Sequence, residues 1–337
     1  MDITTVGLDL AKNVFHIVGM DAQGKERVKK RLSRSQVLKY FANAPRCRIG
    51  LEACASAHYF GRELTRLGHE VKLIPPQYVK AHLRGQKNDY NDARAISEAV
   101  RSPGMRFVEI KTVARQDMQS LVRLREGVIQ SRTALANRLR GLLGEYGIAI
   151  PQGIGALRRA IPGVLEDAGN GLNEVFRRLL AQGQTQLGEL DAHIDALTAQ
   201  LAAAAREDER VERLQTVPGY GPIVASVFVS AVGDGHQYRR GRDAAAALGL
   251  VPRQHSSGGK NVLLGITKRG DRYVRSLLIH GARSVVIAAK GRDDALSRWI
   301  NRLRETRGIN KATVALANKM ARIGWAIVHN GGRYQAA

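Results

Sequence analysis

Cysteine is nearly missing from this 337-residue chain, which has only Cys47 and Cys54. Two thiols seven positions apart exclude a disulfide framework and a zinc knuckle with paired ligands, so a reducing cytoplasm is the expected setting. Aromatic residues make up 5% of the chain, too few for base stacking to be the main mode of binding a single strand. Long apolar runs are missing as well; the longest, Ile223 to Val232, is well short of a bilayer. The opening "MDITTVGLDL" has neither a basic nor an apolar leader segment, so a soluble protein that is not exported is expected. The last scarcity is negative charge: 30 acidic residues face 53 Lys and Arg, a net charge of +23.

That positive excess is unevenly spread. Residues 1–110 carry 19 Lys and Arg against 11 Asp and Glu, residues 111–235 carry 14 against 14, and residues 236–337 carry 20 against 5. A neutral middle between two basic ends describes a packing element flanked by lobes that face a polyanion, which points to nucleic acid. The length allows two or three domains.

"TTVGLDLAKNVFHIVGMDAQGKERVKKRLS" reads as a three-strand meander with a turn at Gln23-Gly24. A helix around Gln36 to Ala42, a strand "RIGLEA", a helix "HYFGRELTRLG", a strand "EVKLIPP" and a helix from about Asp89 follow. This order predicts an α/β sheet layered by helices over residues 1–110, as in an RNase H-like domain. Asp9 and Glu52 each sit in or at the end of an apolar strand, where an unpaired carboxylate costs several kcal/mol or neutralises itself. Asp89 and Asp92, spaced i, i+3, share one face at the start of a helix. Four carboxylates on three elements converging on one point would repel one another, and they make sense as the oxygen ligands of Mg²⁺ or Mn²⁺. Taken singly, each has a plainer reading. Asp92 could pair with Arg94 or Lys87, Asp89 could be a helix N-cap, and Glu52 could reach solvent at a strand end. The joint pattern favours the cluster. Actin-like sugar kinases and ATPases also open on an aspartate in a first hairpin, but they place glycines in that turn, and "DLAKN" has none.

In the neutral middle, Leu121, Val128, Leu135 and Leu142 recur every seven residues, flanked by Val122, Ile129, Ala136 and Leu143. After "PQGIGALRRAIPG", Leu187, Leu190, Ile194, Leu197 and Leu201 follow 3-4 spacing. Two helices with coiled-coil seams are expected over 111–208, either as an antiparallel hairpin in one chain or as a junction between subunits. Residues 209–337 read as a helical domain. "RLQTVPGYGPIVASVFVSAVGD" has the pattern of a helix-hairpin-helix in which Gly219 and Gly221 let backbone N–H groups meet a phosphate, although such a turn can also be a plain connector. "GLVPRQHSSGGK" sets Ser256 and Ser257 in a glycine loop edged by Arg253, His255, Lys260, Lys268 and Arg269. Serine there is ordinarily a turn residue, but among cations its hydroxyl can act as a nucleophile toward phosphate. Lys268, Arg269, Arg272 and Arg275 then read as contacts to a nucleic-acid backbone.

"GLDLAKNVFHI", "GLEACASAHYFGREL", "KNDYNDARAISE", "LQTVPGYGPIVAS" and "GLVPRQHSSGGK" together resemble the insertion-sequence transposases that join an N-terminal RuvC-like DEDD domain to a C-terminal serine-bearing transposase domain, relatives of the Piv and MooV invertases. The resemblance spans nearly the whole chain. It implies that Asp9, Glu52, Asp89 and Asp92 are the DEDD quartet holding Mg²⁺ or Mn²⁺. It implies that Ser257, directly before a glycine and five residues after the proline of "GLVP", is the nucleophile, with Ser256 of the same doublet as the alternative. It further implies DNA as substrate, a structured bridge RNA as guide, a homodimer or tetramer on DNA, composite sites across subunits, and no membrane. Two rivals remain: a metal-dependent junction endonuclease that needs no serine, and a nucleic-acid-binding scaffold without chemistry.

Overall fold

Strand-forming residues between Asn, Asp and Gly turns lay out the first part of the chain as β1 (Thr5–Asp9), β2 (Val14–Met20) and β3 (Glu26–Ser33), an antiparallel meander. Strand β4 (Arg48–Glu52) pairs parallel with β1, and β5 (Glu70–Ile74) pairs parallel with β4, so the sheet order is β3-β2-β1-β4-β5. The computed structural model describes residues 3–86 and 88–336. They fall into two units, Met1–Val113 and Ala114–Ala337.

Strand alternation divides the first unit into layers. Val6 and Leu8 of β1 and Ile49 and Leu51 of β4 point to one face. There they are buried with Val37 and Phe41 of α1 (Arg34–Ala42) and Phe60 and Leu64 of α2 (Ala57–Arg66). Each such side chain contributes about 1.5–3 kcal/mol of transfer free energy. Helix α1 starts with a capping box, in which the Ser33 N–H donates to Gln36 Oε1 at 2.8 Å. The opposite face carries α3 (Pro76–Ala81) and α4 (Asp89–Arg101). Helix α3 is a short turn that the sequence pattern did not suggest, started by Pro76 at its N-terminus. This mixed α/β architecture is the one expected for an RNase H-like transposase domain.

Helix α4 approaches the sheet unusually closely because two strands offer it glycine. A Cβ on Gly7 would lie 2.0 Å from the Ala93 carbonyl oxygen and 2.5 Å from the Ser97 nitrogen; one on Gly50 would lie 3.0 Å from both Ile96 Cγ2 and Val100 Cβ. Gly7 and Gly50 are register partners, so together they form a shallow trough under the helix.

The second unit is mainly helical. It contains α5 (Val113–Gly144), α6 (Ile154–Glu166), α7 (Glu174–Arg206), α8 (Glu209–Gln215), α9 (Pro222–Val232), α10 (Gly241–Ala247), α11 (Arg272–Ala288), α12 (Ala295–Arg307) and α13 (Ile309–Asn330). A small hairpin, β6 (Pro252–Gln254) and β7 (Leu263–Ile266), is inserted between α10 and α11. One core gathers α8, α9, α11 and α13 around Phe228, Leu278 and Ala317; a second joins the far half of α5 to α6 and the first half of α7 around Leu143, Leu157 and Leu180.

The long helices α5 and α7 run antiparallel within this unit. Arg125 Nε donates to Thr198 Oγ1 at 2.7 Å, Arg132 to Asp191 Oδ1 at 2.8 Å, and Leu139 fills the space over Gly183. The heptad leucines of α5 are not its buried stripe: Leu142 is 45% exposed, whereas Val122, Ala136, Leu139 and Leu143 are buried. On α7, Leu187, Ile194, Leu197 and Leu201 are buried as expected and Leu190 is half-buried.

The tight fit of α4 makes Gly7 the most demanding small residue of the first unit. Gly7→Ala is expected to destabilise that unit by about 3 kcal/mol, the upper end of overpacking costs. Gly188→Ala, on an open face of α7, should leave stability unchanged or raise it by up to about 1 kcal/mol. Urea unfolding of the two full-length variants measures the difference.

Candidate active site

The same alternation that turns Gly7 and Gly50 toward α4 turns Asp9 and Glu52 toward it, two residues on. Each triplet, Gly-Leu-Asp and Gly-Leu-Glu, therefore does three jobs: the glycine admits the helix, the leucine enters the opposite core, and the acid ends the strand under the first turn of α4. That turn carries Asp89 and Asp92. Asn88 is the N-cap, its side chain accepting from the Asn91 N–H at 2.9 Å, so Asp89 is not the cap and its carboxylate is left to the site. Arg94 is committed to Glu26, with contacts of 2.6 and 3.1 Å, and to Asn91, which removes it as a partner for Asp92. Lys87 lies outside the described residues.

The electrostatics report the convergence. The Asp9 carboxyl is pushed up to about 6, first by burial and then by the negative charges of Asp92, Asp89 and Glu52. Cys54, beyond Glu52, is pushed up to about 11 by burial and by Glu52 and Asp9. Positive potential at the N-terminus of α4 offsets part of this repulsion. Asp89 remains 67% exposed at the open side of the cluster.

A further residue, missed in the sequence, completes the group. His16 is the cross-strand partner of Asp9, is only 7% exposed, and places Nδ1 3.4 Å from Asp89 Oδ2. Its ring meets Tyr90 edge-on at 4.6 Å. Ligand atoms of Asp9, His16 and Asp89 all lie within 4.8 Å of one another, a spacing that fits shared coordination of a metal ion. The available signal was the meander itself: a short turn after Asp9 and alternation along "VFHIVGM" put His16 beside the acid.

In the second unit, Ser257 stands at the tip of the β6–β7 hairpin. The Lys260 N–H donates to the Ser257 carbonyl at 3.0 Å, and Gly258 and Gly259 have φ of +55° and +79°. Two consecutive positive φ values define a tight hairpin turn that glycine alone adopts freely, so the expected loop is a defined tip. Ser256 accepts a hydrogen bond from Gln254 at 2.9 Å, whereas the Ser257 hydroxyl has no protein partner among the described residues. His255 is exposed and its backbone N–H donates to Val262. Arg253, Lys260, Lys268, Arg269 and Arg272 are exposed on or beside this hairpin.

Arg275 is different. It is 7% exposed, and its guanidinium donates to the carbonyls of Leu248 at 3.1 Å and Arg269 at 2.7 Å. Its expected contact with a nucleic-acid backbone gives way to an internal one, anchoring the segment that presents Lys268 and Arg269. Gly219 has φ of +93°, and a Cβ there would lie 2.8 Å from Met320 Cε and 3.0 Å from the Gly281 carbonyl oxygen. Packing thus accounts for its being glycine. Gly221 is exposed at the start of α9, with open space around it.

A family profile described as Transposase, for the DEDD domain of the IS110 group, matches residues 6–148. A second, described as Transposase IS116/IS110/IS902 family, matches residues 211–297. The chain is 46% identical over 97% of both lengths to a probable family 20 transposase of Pseudomonas aeruginosa. It is 42% identical, over 99% of its own length and 92% of the other, to the transposase for insertion sequence element IS1111A of Coxiella burnetii. It is 38% identical over 98% of both lengths to the transposase for insertion sequence element IS1328 of Yersinia enterocolitica. An α/β domain with an acidic cluster under a helix N-terminus, carried by a chain with these matches, defines a DEDD transposase, an enzyme class of DNA strand transfer. The chain belongs to the IS110/IS116/IS902 family of insertion-sequence transposases.

Because Asp9 holds a proton up to about pH 6, Mn²⁺ affinity should fall about tenfold per pH unit below that value, with close to one proton released per ion, read by calorimetry in buffers of different ionisation enthalpy. In the metal-free protein the same raised value makes this carboxyl's contribution to stability decline as pH rises from 3.8 to about 6, then level off. Asp9→Asn should abolish both the proton release and the thermal stabilisation by Mn²⁺. Separately, His16→Ala should weaken Mn²⁺ binding roughly 10- to 100-fold, as loss of a group that orients a ligand does.

Proposed function

We propose that the protein cuts and rejoins DNA at the ends of its own insertion sequence, with Asp9, Glu52, Asp89 and Asp92 holding Mg²⁺ or Mn²⁺ and Ser257 as the nucleophile. The observation that supports this reading is the grouping at the foot of α4, where ligand atoms of Asp9, His16 and Asp89 lie within 4.8 Å of one another and where burial, and then the charges of Asp92, Asp89 and Glu52, push the Asp9 carboxyl up to about 6. A bound divalent ion would supply Lewis-acid stabilisation of charge at the scissile phosphate. The chain's own groups do the rest. Asp9 and Glu52, fixed by the sheet, and Asp89 and Asp92, fixed by α4, set the position of the ion, and His16 orients Asp89. The Ser257 oxygen bonds to phosphorus as the bond from phosphorus to one deoxyribose oxygen breaks; the serine proton is lost and the leaving oxygen gains one. The phosphodiester energy stays in the phosphoserine, so a second strand can be joined without an external energy source. Exposed Arg253, Lys260, Lys268, Arg269 and Arg272 neutralise the DNA backbone, and the α8–α9 turn with Gly219 and Gly221 adds helix-hairpin-helix contacts to phosphates.

The strong positive excess without an evident base-reading helix supports a guide RNA from the element as the source of sequence choice. The family resemblance supports assembly as a dimer and then a tetramer, so that acids and serine of different subunits form one site.

The test is Ser257→Ala with labelled element-end DNA and Mg²⁺ or Mn²⁺. The expected result is loss of strand cleavage and of protein covalently attached to DNA, with Ser256→Ala close to wild type. Cleavage that survives Ser257→Ala would make the protein a metal-dependent junction endonuclease. Binding without cleavage by the wild type under either ion would make it a scaffold.

A further inference from the structure

One cleft of the second unit lies beside the chemistry above and shares only Arg253 and Lys268 with it. It has a volume of about 1140 Å³ and lies between the β6–β7 hairpin on one side and α12 and α13 on the other. Leu263 and Ile266 of the hairpin and Val314 of α13 give it apolar walls, and Arg253, Lys268, Lys311, Lys319 and Arg322 line it as well. Among the described residues no carboxylate lines it, and none of these five cations has a carboxylate partner. Cations gathered without counter-charge repel one another, which favours an anion between them.

Two side chains are already arranged for a polyanion. The Lys319 ammonium sits over the Trp299 ring, 4.7 Å from its centroid, which restrains that charge at the cleft wall. The Nε of Arg322 is buried and has no acceptor. Cations over apolar walls suit a chain with one charge per unit and flat, less polar groups between the charges, which is a nucleic-acid strand. The volume exceeds the roughly 300–1000 Å³ of small-ligand sites, so this half-open cleft takes a few nucleotides of one strand. The hairpin that forms one wall carries Ser257 at its tip, four residues from Arg253 and so at most roughly 13 Å away along the strand.

We propose that this cleft seats an unpaired segment of the DNA strand adjoining the phosphate at Ser257. The choice of DNA rests on the reading of Ser257 given above; the seat for a single strand rests on the cleft alone.

The experiment uses the full chain in EDTA, so that no strand is cut, and fluorescence anisotropy with a labelled 12-nucleotide DNA strand, its duplex and the same sequence as RNA. Lys311→Ala with Arg322→Ala should weaken single-stranded DNA binding at least tenfold. It should also lower the slope of log affinity against log salt by about 1.4, two charges at about 0.7 each. Duplex binding should change less than twofold. Lys311 is exposed, so Lys311→Ala alone, which leaves the core untouched, should give about half that change in slope even if the double variant does not fold. Lys311→Arg with Arg322→Lys should restore binding. An unchanged single-strand slope, or an equal loss on duplex, overturns the proposal. A loss confined to RNA overturns the assignment to DNA. Ser257→Ala cleavage is measured separately, so the nucleophile and the cleft can fail independently.

Discussion

The close contact of α4 with the glycine trough of β1 and β4 is the constraint on which the acidic site depends. Were the helix held off by even one methyl group at Gly7, its first turn would ride higher and Asp89 and Asp92 would move away from Asp9 and Glu52. The repulsion among the four acids acts in the opposite sense and, after burial, contributes to the raised proton affinity of Asp9. Packing of Ala93, Ile96, Ala99 and Val100 against the sheet outweighs that repulsion, so the site is assembled by the core before any cation arrives. This is a common division of labour at active sites, where the scaffold stores an unfavourable arrangement that a ligand relieves.

The second unit handles its charge differently. Its cations are mostly outside, on a hairpin and on helix surfaces, while the buried guanidinium of Arg275 is spent on two backbone carbonyls. That anchor, with Gly249 and Gly270 allowing backbone to lie on backbone, fixes the base of the hairpin. The tip is then displayed by turn geometry alone, through Gly258 and Gly259. A hydroxyl presented in this way is exposed at a hairpin tip, whereas of the acids Asp9, Glu52 and Asp92 are half-buried and Asp89 is exposed.

Much of this was legible in the sequence for identifiable reasons. Strand alternation, helix starts and the unusual acids at strand ends gave the α/β domain and its four carboxylates, because those signals are local. What escaped was set by pairs of elements. His16 became part of the site through the register of β1 with β2. Gly7 and Gly50 looked like ordinary strand glycines until α4 was laid across them. Arg275 shared the spacing of Lys268, Arg269 and Arg272, yet its place on the inner face of α11 turned it from surface cation to internal clamp. On α5 the seven-residue spacing pointed to Leu121 and Leu142, while the buried stripe ran one residue later through Val122 and Leu143, because the face that meets α7 is set by the pairing of the two helices.

The pairing of α5 with α7 also limits how such a chain can change in length. Its contacts recur at Arg125, Arg132 and Leu139 on one helix and at Thr198, Asp191 and Gly183 on the other, steps of seven against seven or eight. At 1.5 Å per residue, one step is about 10.5 Å. Insertions or deletions preserve this register only when a matching block is gained or lost on both helices. The pair is therefore a ruler with coarse graduations, and the distance from the helical core to the α6 end can be reset in such increments and not by single residues.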